Sequence, residues 1–336
     1  MALPASVTGG DGGSFPFTAD RPMSSPFASI PRRAWVLLPL LACCWGATWP
    51  MMKIGTAEIP VLTFRALTAV IAGAALMIAT AARYRTVLPR RDEWGRLLLC
   101  APINVTAWFY FSALAVTLLP AGRAALLAYT MPLWAFIIGV LFLKEPILKR
   151  RVLGVVAGVG AILLMAWDGI EGAVGRAAET AWGMPTGILA ITAAAIAWSI
   201  GSTLQKEVRF ESPVMPIAAW QLAIGAIPLT ALALVLEPLD WVGAVGTGPL
   251  LATLGVSLIS QATGMWIWFT MLQITSMAFA SLAVLAVPLV GMGLSAAFLG
   301  EPLGLVEMAG FLLITVGLAT VLPLDRLFGR RRPPPA

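Results

Sequence analysis

Histidine is absent from this 336-residue chain, which removes the commonest metal ligand and the usual general base together. The three cysteines, Cys43, Cys44 and Cys100, lie in apolar runs, where they read as small buried helix residues. Adjacent Cys43 and Cys44 make a poor disulfide pair, and no metal-ligand spacing occurs. No metal and no cofactor are expected. What remains are polar groups isolated in long apolar tracts. Asn104, Tyr129 and Gln261, the last beside Ser260, offer amides and a phenol that can orient a solute by hydrogen bonds. Trp45, Trp108 and Trp198 offer aromatic surface for its apolar part. The competing reading is hydrogen bonding between helices for the amides, and interfacial belting for tryptophans such as Trp49, Trp266 and Trp268.

Arg65 stands about six residues from the centre of its tract, hence about 9 Å from the midplane at about 1.5 Å per residue. Outward snorkelling is the favoured reading, with a grip on a substrate carboxylate as the alternative. Lys53 and Arg123, nearer the surface, are also expected to snorkel. Pro132 and Pro288 stand near the middle of their tracts, where each deletes a helical hydrogen bond and frees a carbonyl one turn back, at Ala128 and Val284. Glu145 and Glu301, each followed by proline, read as helix-end junctions. No Asp or Glu falls near the centre of any tract, which disfavours a proton relay at midplane. An intramembrane transferase would need acids or histidines gathered near one face, and none are visible.

The elements that must position these groups are membrane helices. Hydrophobic residues make up 59% of the chain, charged residues 11%, and the mean hydropathy is +0.89. A soluble domain carries about 25% charged residues. Ten tracts reach or approach the roughly 20 apolar residues that a span requires: 34–52, 60–82, 95–115, 120–143, 151–167, 183–204, 214–236, 247–271, 275–299 and 304–322. Very short connections near Leu119 and Ile274 imply tight antiparallel hairpins. The longest connection starts at Asp168. Residues 1–31, rich in Gly, Pro and Ser, are expected to be a disordered tail, with Met23 an alternative start. Residues 323–336 form a basic, Pro-rich tail. With both termini inside, eighteen of the twenty-two Lys and Arg residues fall on the cytoplasmic side, whereas Asp168, Glu171, Glu179, Glu237 and Asp240 fall outside. The net charge of +6 therefore reports topology rather than a nucleic-acid partner.

The chain also repeats. At an offset of 156 residues, Ala124–Gly154 meets Ala280–Gly310 with nine identities in 31 positions, among them Pro132/Pro288, Glu145-Pro146/Glu301-Pro302 and Gly154/Gly310. At an offset of 153, Trp45 and Lys53 meet Trp198 and Lys206. Each unit holds five tracts, and an odd number predicts that the second copy enters the membrane from the opposite side. The fold expected is all-α, with ten transmembrane helices as two inverted five-helix repeats at 34–167 and 183–322.

Trp45-Gly46 with Lys53, Phe64-Arg65, Leu143-Lys144-Glu145-Pro146 with Gly154, and Leu299-Gly300-Glu301-Pro302 with Gly310 form a pattern that resembles the drug/metabolite transporter superfamily, in particular its EamA-type ten-helix members. The resemblance covers nearly everything but the tails. In the second copy Trp220-Gln221 answers Phe64-Arg65, so the basic residue is not repeated. The resemblance implies secondary, non-ATP transport of a small metabolite across an inner or plasma membrane, by alternating access. An exporter of a neutral or zwitterionic amphipathic solute is expected; a structural or receptor-like membrane protein is the other alternative. The partners implied are that solute and the lipid bilayer. A homodimer is compatible with the sequence, which does not fix the oligomeric state.

The asymmetry of charge makes a direct prediction. On a background lacking Cys43, Cys44 and Cys100, a Glu171→Cys variant should label strongly from outside intact cells, and a cysteine near Arg90 should not. Exclusive outside labelling near Arg90 would invert the topology.

Overall fold

The computed structural model describes residues 31–84, 86–171, 183–208, 210–275 and 277–321. Apart from Pro31 and Asp168–Glu171, the expected tails and the long connection after Asp168 lie outside the described residues. Helices account for nearly all of what is described: α1 (Arg32–Gly46), α2 (Thr48–Gly55), α3 (Val61–Arg83), α4 (Trp94–Ala101), α5 (Trp108–Leu118), α6 (Ala121–Ala128), α7 (Met131–Phe142), α8 (Lys149–Glu171), α9 (Gly183–Val208), α10 (Val214–Leu236), α11 (Thr247–Leu254), α12 (Gly264–Ile274), α13 (Met277–Leu299) and α14 (Leu305–Val321). Eight helical runs among the described residues are long and apolar enough to cross a bilayer. Two further apolar helices, described over Leu285–Leu299 and Leu305–Thr320, are shorter.

Four tracts that read as single helices are interrupted. The first breaks at Ala47 between α1 and α2. The third and eighth each contain a wide π-helical stretch, Pro102–Ala107 between α4 and α5, and Gly255–Thr263 between α11 and α12. At the 156-residue offset the first stretch falls inside the second. The fourth tract breaks at Tyr129-Thr130, and Pro132 is the second residue of α7, where its missing N–H costs no helical bond. Pro288 lies inside an unbroken α13. The matched prolines therefore do not make matched interruptions: one stands just after a break, and the other sits in a continuous helix.

The helices pair across the two halves of the chain. Gly73 of α3 faces Leu222 and Ala223 of α10, while the other end of α3 meets Glu237 beyond α10, so the two run antiparallel. Helices α8 and α14 do the same: Gly154 packs on Gly317 and Thr320, and Gly310 on Met165. Helix α9 lies against α5, with Gly187 on Leu118 and Leu119, and α1 lies against α13, with Gly46 on Val290 and Gly291. At Gly46 and Gly154 an added Cβ would fall within 3 Å of a neighbour, so glycine is what permits these approaches. Both halves close their fourth tract with a left-handed residue before Glu-Pro, Lys144 (φ 55°) and Gly300 (φ 66°).

Charged groups near the helix ends turn inward. Glu237 accepts hydrogen bonds from the Leu62 and Thr63 amides (2.8 and 2.7 Å) and from the Thr63 hydroxyl, capping α3. Glu93 accepts from the Glu211 and Ser212 amides (2.6 and 3.0 Å) just before α10. Glu301 accepts from the Ala121 and Gly122 amides (2.6 and 2.9 Å) at the head of α6. Lys53 donates to the Val116 and Leu119 carbonyls (2.7 and 2.8 Å) at the end of α5. Arg123 is buried and paired with Glu307 and with Asp168 (2.9 Å). Neither Lys53 nor Arg123 snorkels, because carbonyls and carboxylates inside the protein satisfy them better than lipid headgroups at a distance. Glu301 thus ties the Glu-Pro end of the ninth tract to the head of α6. Glu145 instead sits 3.5 Å from Arg151 and folds against Gly139. Cys44 and Cys100 are buried as expected, while Cys43 is exposed.

Glu237→Ala should lower stability by about 1–2 kcal/mol, the cost of losing a helix cap, seen as a lower Tm in detergent. Glu211→Ala, which removes only an exposed pair with Arg90, should change it by less than about 0.5 kcal/mol.

Candidate functional site

The third tract departs from α-helical geometry near its middle. Pro102 has no N–H to give, and the helix widens from that residue through Ala107. Two glycines of the second half admit the widened stretch. Gly225 of α10 takes Val105 against it, and its carbonyl accepts from the Thr106 hydroxyl (2.8 Å). Gly201 of α9 takes Asn104, whose Oδ1 would lie 2.0 Å from a Cβ at that position.

Asn104 is thus seated between three helices. Its Nδ2 donates to Gln205 Oε1 of α9 (3.0 Å) and, more weakly, to Gln221 Oε1 of α10 (3.5 Å). Two atoms of this amide cluster, Asn104 Oδ1 and Gln221 Nε2, are buried with no partner. One is an acceptor and the other a donor. A buried polar group left unmatched costs about 1–3 kcal/mol, so the cluster calls for a donor at Asn104 Oδ1 and an acceptor at Gln221 Nε2.

Arg65 lies in α3, wholly inside the protein at 1% exposure. Its Nε donates to the Phe109 carbonyl (2.7 Å), its Nη2 donates to Ser112 Oγ (2.6 Å), and the guanidinium lies 4.4 Å from the centre of the Phe109 ring. The expected snorkelling does not occur: the side chain turns toward α5, not toward a surface. Its Nη1 has no hydrogen-bond partner among the described residues.

The remaining expected residues are dispersed. Tyr129 is buried at the α6–α7 break, where its amide donates to Leu126 O (3.2 Å). The Met131 carbonyl at that break accepts from Ser199 of α9 (2.7 Å). Trp108 packs against both of the larger apolar clusters, so it sits where the two meet. Trp45 stacks on Trp268 at 5.6 Å and covers Gly264. Trp198 is 36% exposed. Gln261 is half-buried and makes no side-chain hydrogen bond among the described residues. Its neighbour Ser260 is the residue that matches Asn104 at the 156-residue offset. Ser260 accepts from the Thr48 hydroxyl and donates to Cys44 O, both at 2.7 Å, tying the second widened stretch to the α1–α2 break. Gln205 and Gln221 escaped the sequence reading. Gln221 was signalled by its alignment with Arg65, while Gln205 stands just past the end of the 183–204 tract. No group of three or more His, Cys, Asp or Glu able to hold a metal occurs among the described residues.

With this geometry established, the EamA-like transporter family matches residues 33–167 and 185–322, nearly the whole helical region. The chain belongs to that family. It is therefore a multi-pass membrane protein of the drug/metabolite transporter superfamily. Similar proteins include a "probable amino-acid metabolite efflux pump" of Salmonella typhimurium, 25% identical, covering 85% of this chain and 94% of the relative. A "probable terminal-alkyne amino-acid exporter" of Streptantibioticus cattleyicolor is 23% identical over 90% of this chain and 97% of its own length. The "uncharacterized transporter YvbV" of Bacillus subtilis is 25% identical over 86% and 91%. A solved crystal structure with 21% identity covers 89% of this chain and 99% of its own, with a TM-score of 0.60, and shares the fold.

The seat of Asn104 is testable. Gly201→Ala puts a methyl group into the Asn104 amide and should destabilise the purified protein by about 1–3 kcal/mol. Gly160→Ala, at a glycine whose Cβ would meet nothing within 4 Å, should leave the Tm unchanged or slightly raised.

Proposed function

We propose that this EamA-family protein is a secondary transporter that exports a small, neutral or zwitterionic amphipathic metabolite by alternating access. Its ten helices would be two inverted five-helix repeats. Antiparallel packing of sequence-matched helices, α3 with α10 and α8 with α14, supports that reading. The basic side would face the cytoplasm with both termini, in an inner or plasma membrane, and the relatives named as efflux pumps support export.

The observation that carries the proposal is the amide cluster of Asn104, Gln205 and Gln221. It lies between the two halves, on a helix widened at that point, and holds one unmatched acceptor and one unmatched donor. A solute bearing a hydroxyl, amide or amino-acid head group satisfies both atoms. Trp108 and Tyr129 would offer it apolar contact, with Gln261 and Trp45 at the related helix pair. Relative movement of the halves would change this cluster, because its members come from both. Pro132 and Pro288 do not make paired helix breaks, since only the first half is broken there.

Asn104→Leu keeps apolar volume and removes the amide. Reconstituted in liposomes, it should retain normal folded yield and lose about two- to tenfold in affinity for its transported solute, the worth of one hydrogen bond at about 0.5–1.5 kcal/mol. If Asn104→Leu and Gln221→Leu both fold and transport at wild-type affinity, the solute binds elsewhere, and the amides only join helices.

A further inference from the structure

We infer that Arg65 is the carboxylate-binding residue of this transporter, so that the solute it carries bears a carboxylate. The inference rests on the transport reading above and narrows its substrate class.

Arg65 is a fully buried cation with two neutral partners, a backbone carbonyl and a serine hydroxyl. No carboxylate pairs with it among the described residues. The contrast with Arg123 is instructive, since that buried guanidinium is met by Glu307 and Asp168. Leaving one buried charge without its opposite is strongly unfavourable, and membrane proteins that keep such a group use it for a substrate or an ion. Ser112 and the Phe109 carbonyl hold the plane of the guanidinium, and the Phe109 ring covers one face of it. Fixed in this way, Nη1 remains with its hydrogens unused. A carboxylate oxygen supplies both the missing acceptor and the missing charge. A neutral solute supplies only the first.

The test compares matched acids and amides. Proteoliposomes are loaded with L-phenylalanine, L-leucine, 3-phenylpropionate or indole-3-acetate, or with the primary amide of each, and efflux is measured. Wild type should move at least one of the acids about tenfold better than its amide, since only the acid offers a charge-assisted bond. Arg65→Lys should fold with normal yield, lose about tenfold in affinity for that acid and discriminate less between acid and amide, because the planar fork is gone. Wild type moving acids and amides equally, or amides alone, would overturn the assignment and leave the transport reading standing. So would Arg65→Lys that folds and keeps wild-type affinity for the acid. If none of the eight compounds moves, the carboxylate assignment fails with the metabolite-exporter reading. The wild-type comparison needs no variant, so misfolding of Arg65→Lys cannot mask the answer.

Discussion

A backbone amide or carbonyl released from a helix within a bilayer finds no water to bond, so each one must be met by another part of the protein. The helix breaks of this chain are governed by that requirement. Where the fourth tract opens at Tyr129-Thr130, the Tyr129 and Thr130 amides turn back onto the Leu126 and Leu127 carbonyls, and the Thr130 hydroxyl also donates to Leu127 O. Near the end of α5 the Val116 and Leu119 carbonyls are taken by Lys53, and two residues later the amides of α6 are taken by Glu301. One short hairpin is thus secured by a cation on its outgoing carbonyls and a carboxylate on its incoming amides. Helix dipoles favour both choices of sign. Charged side chains that composition alone would assign to lipid headgroups are engaged with the protein's own backbone.

The second constraint is approach. Van der Waals packing and hydrogen bonds hold membrane helices together, since burying apolar surface gains little where lipid is itself apolar. Gly46, Gly154, Gly201 and Gly225 occur where helices of the two halves come closest. At Gly201 and Gly225 the space saved admits a widened helix carrying a polar side chain. The same device that packs the bundle therefore places an incompletely bonded amide at the boundary between its halves.

Much of this was legible in the sequence. The length of the apolar tracts gave the helices, and the Glu-Pro matches pointed to a repeat; α3 lies antiparallel to α10, and α8 to α14. The hairpin at Leu119 was visible from its brevity. Less accessible was everything that depends on where side chains end. Arg65, Lys53 and Arg123 looked alike as cations in apolar runs, yet the first is buried without a counter-charge among the described residues, the second caps a helix and the third joins an ion-pair network. Their partners lie 44 to 184 residues away, beyond any local pattern. Pro132 and Pro288 looked equivalent, but Pro132 adjoins a break while Pro288 lies within continuous α13. Asn104 was legible as a polar residue in an apolar tract, whereas its partners Gln205 and Gln221 come from two other helices.

The capping carboxylates also set a timetable. Glu237 is 175 residues downstream of Leu62, whose amide it receives, and Glu301 is 180 residues downstream of Ala121. A ribosome adding about 5–20 residues per second needs roughly 9–35 seconds to cover the first of those distances. Throughout that interval the heads of α3 and α6 exist without their partners, and the first half of the protein waits in the bilayer for acids that have not yet been made. Its final arrangement is reached only after the second half has been synthesised and threaded against it.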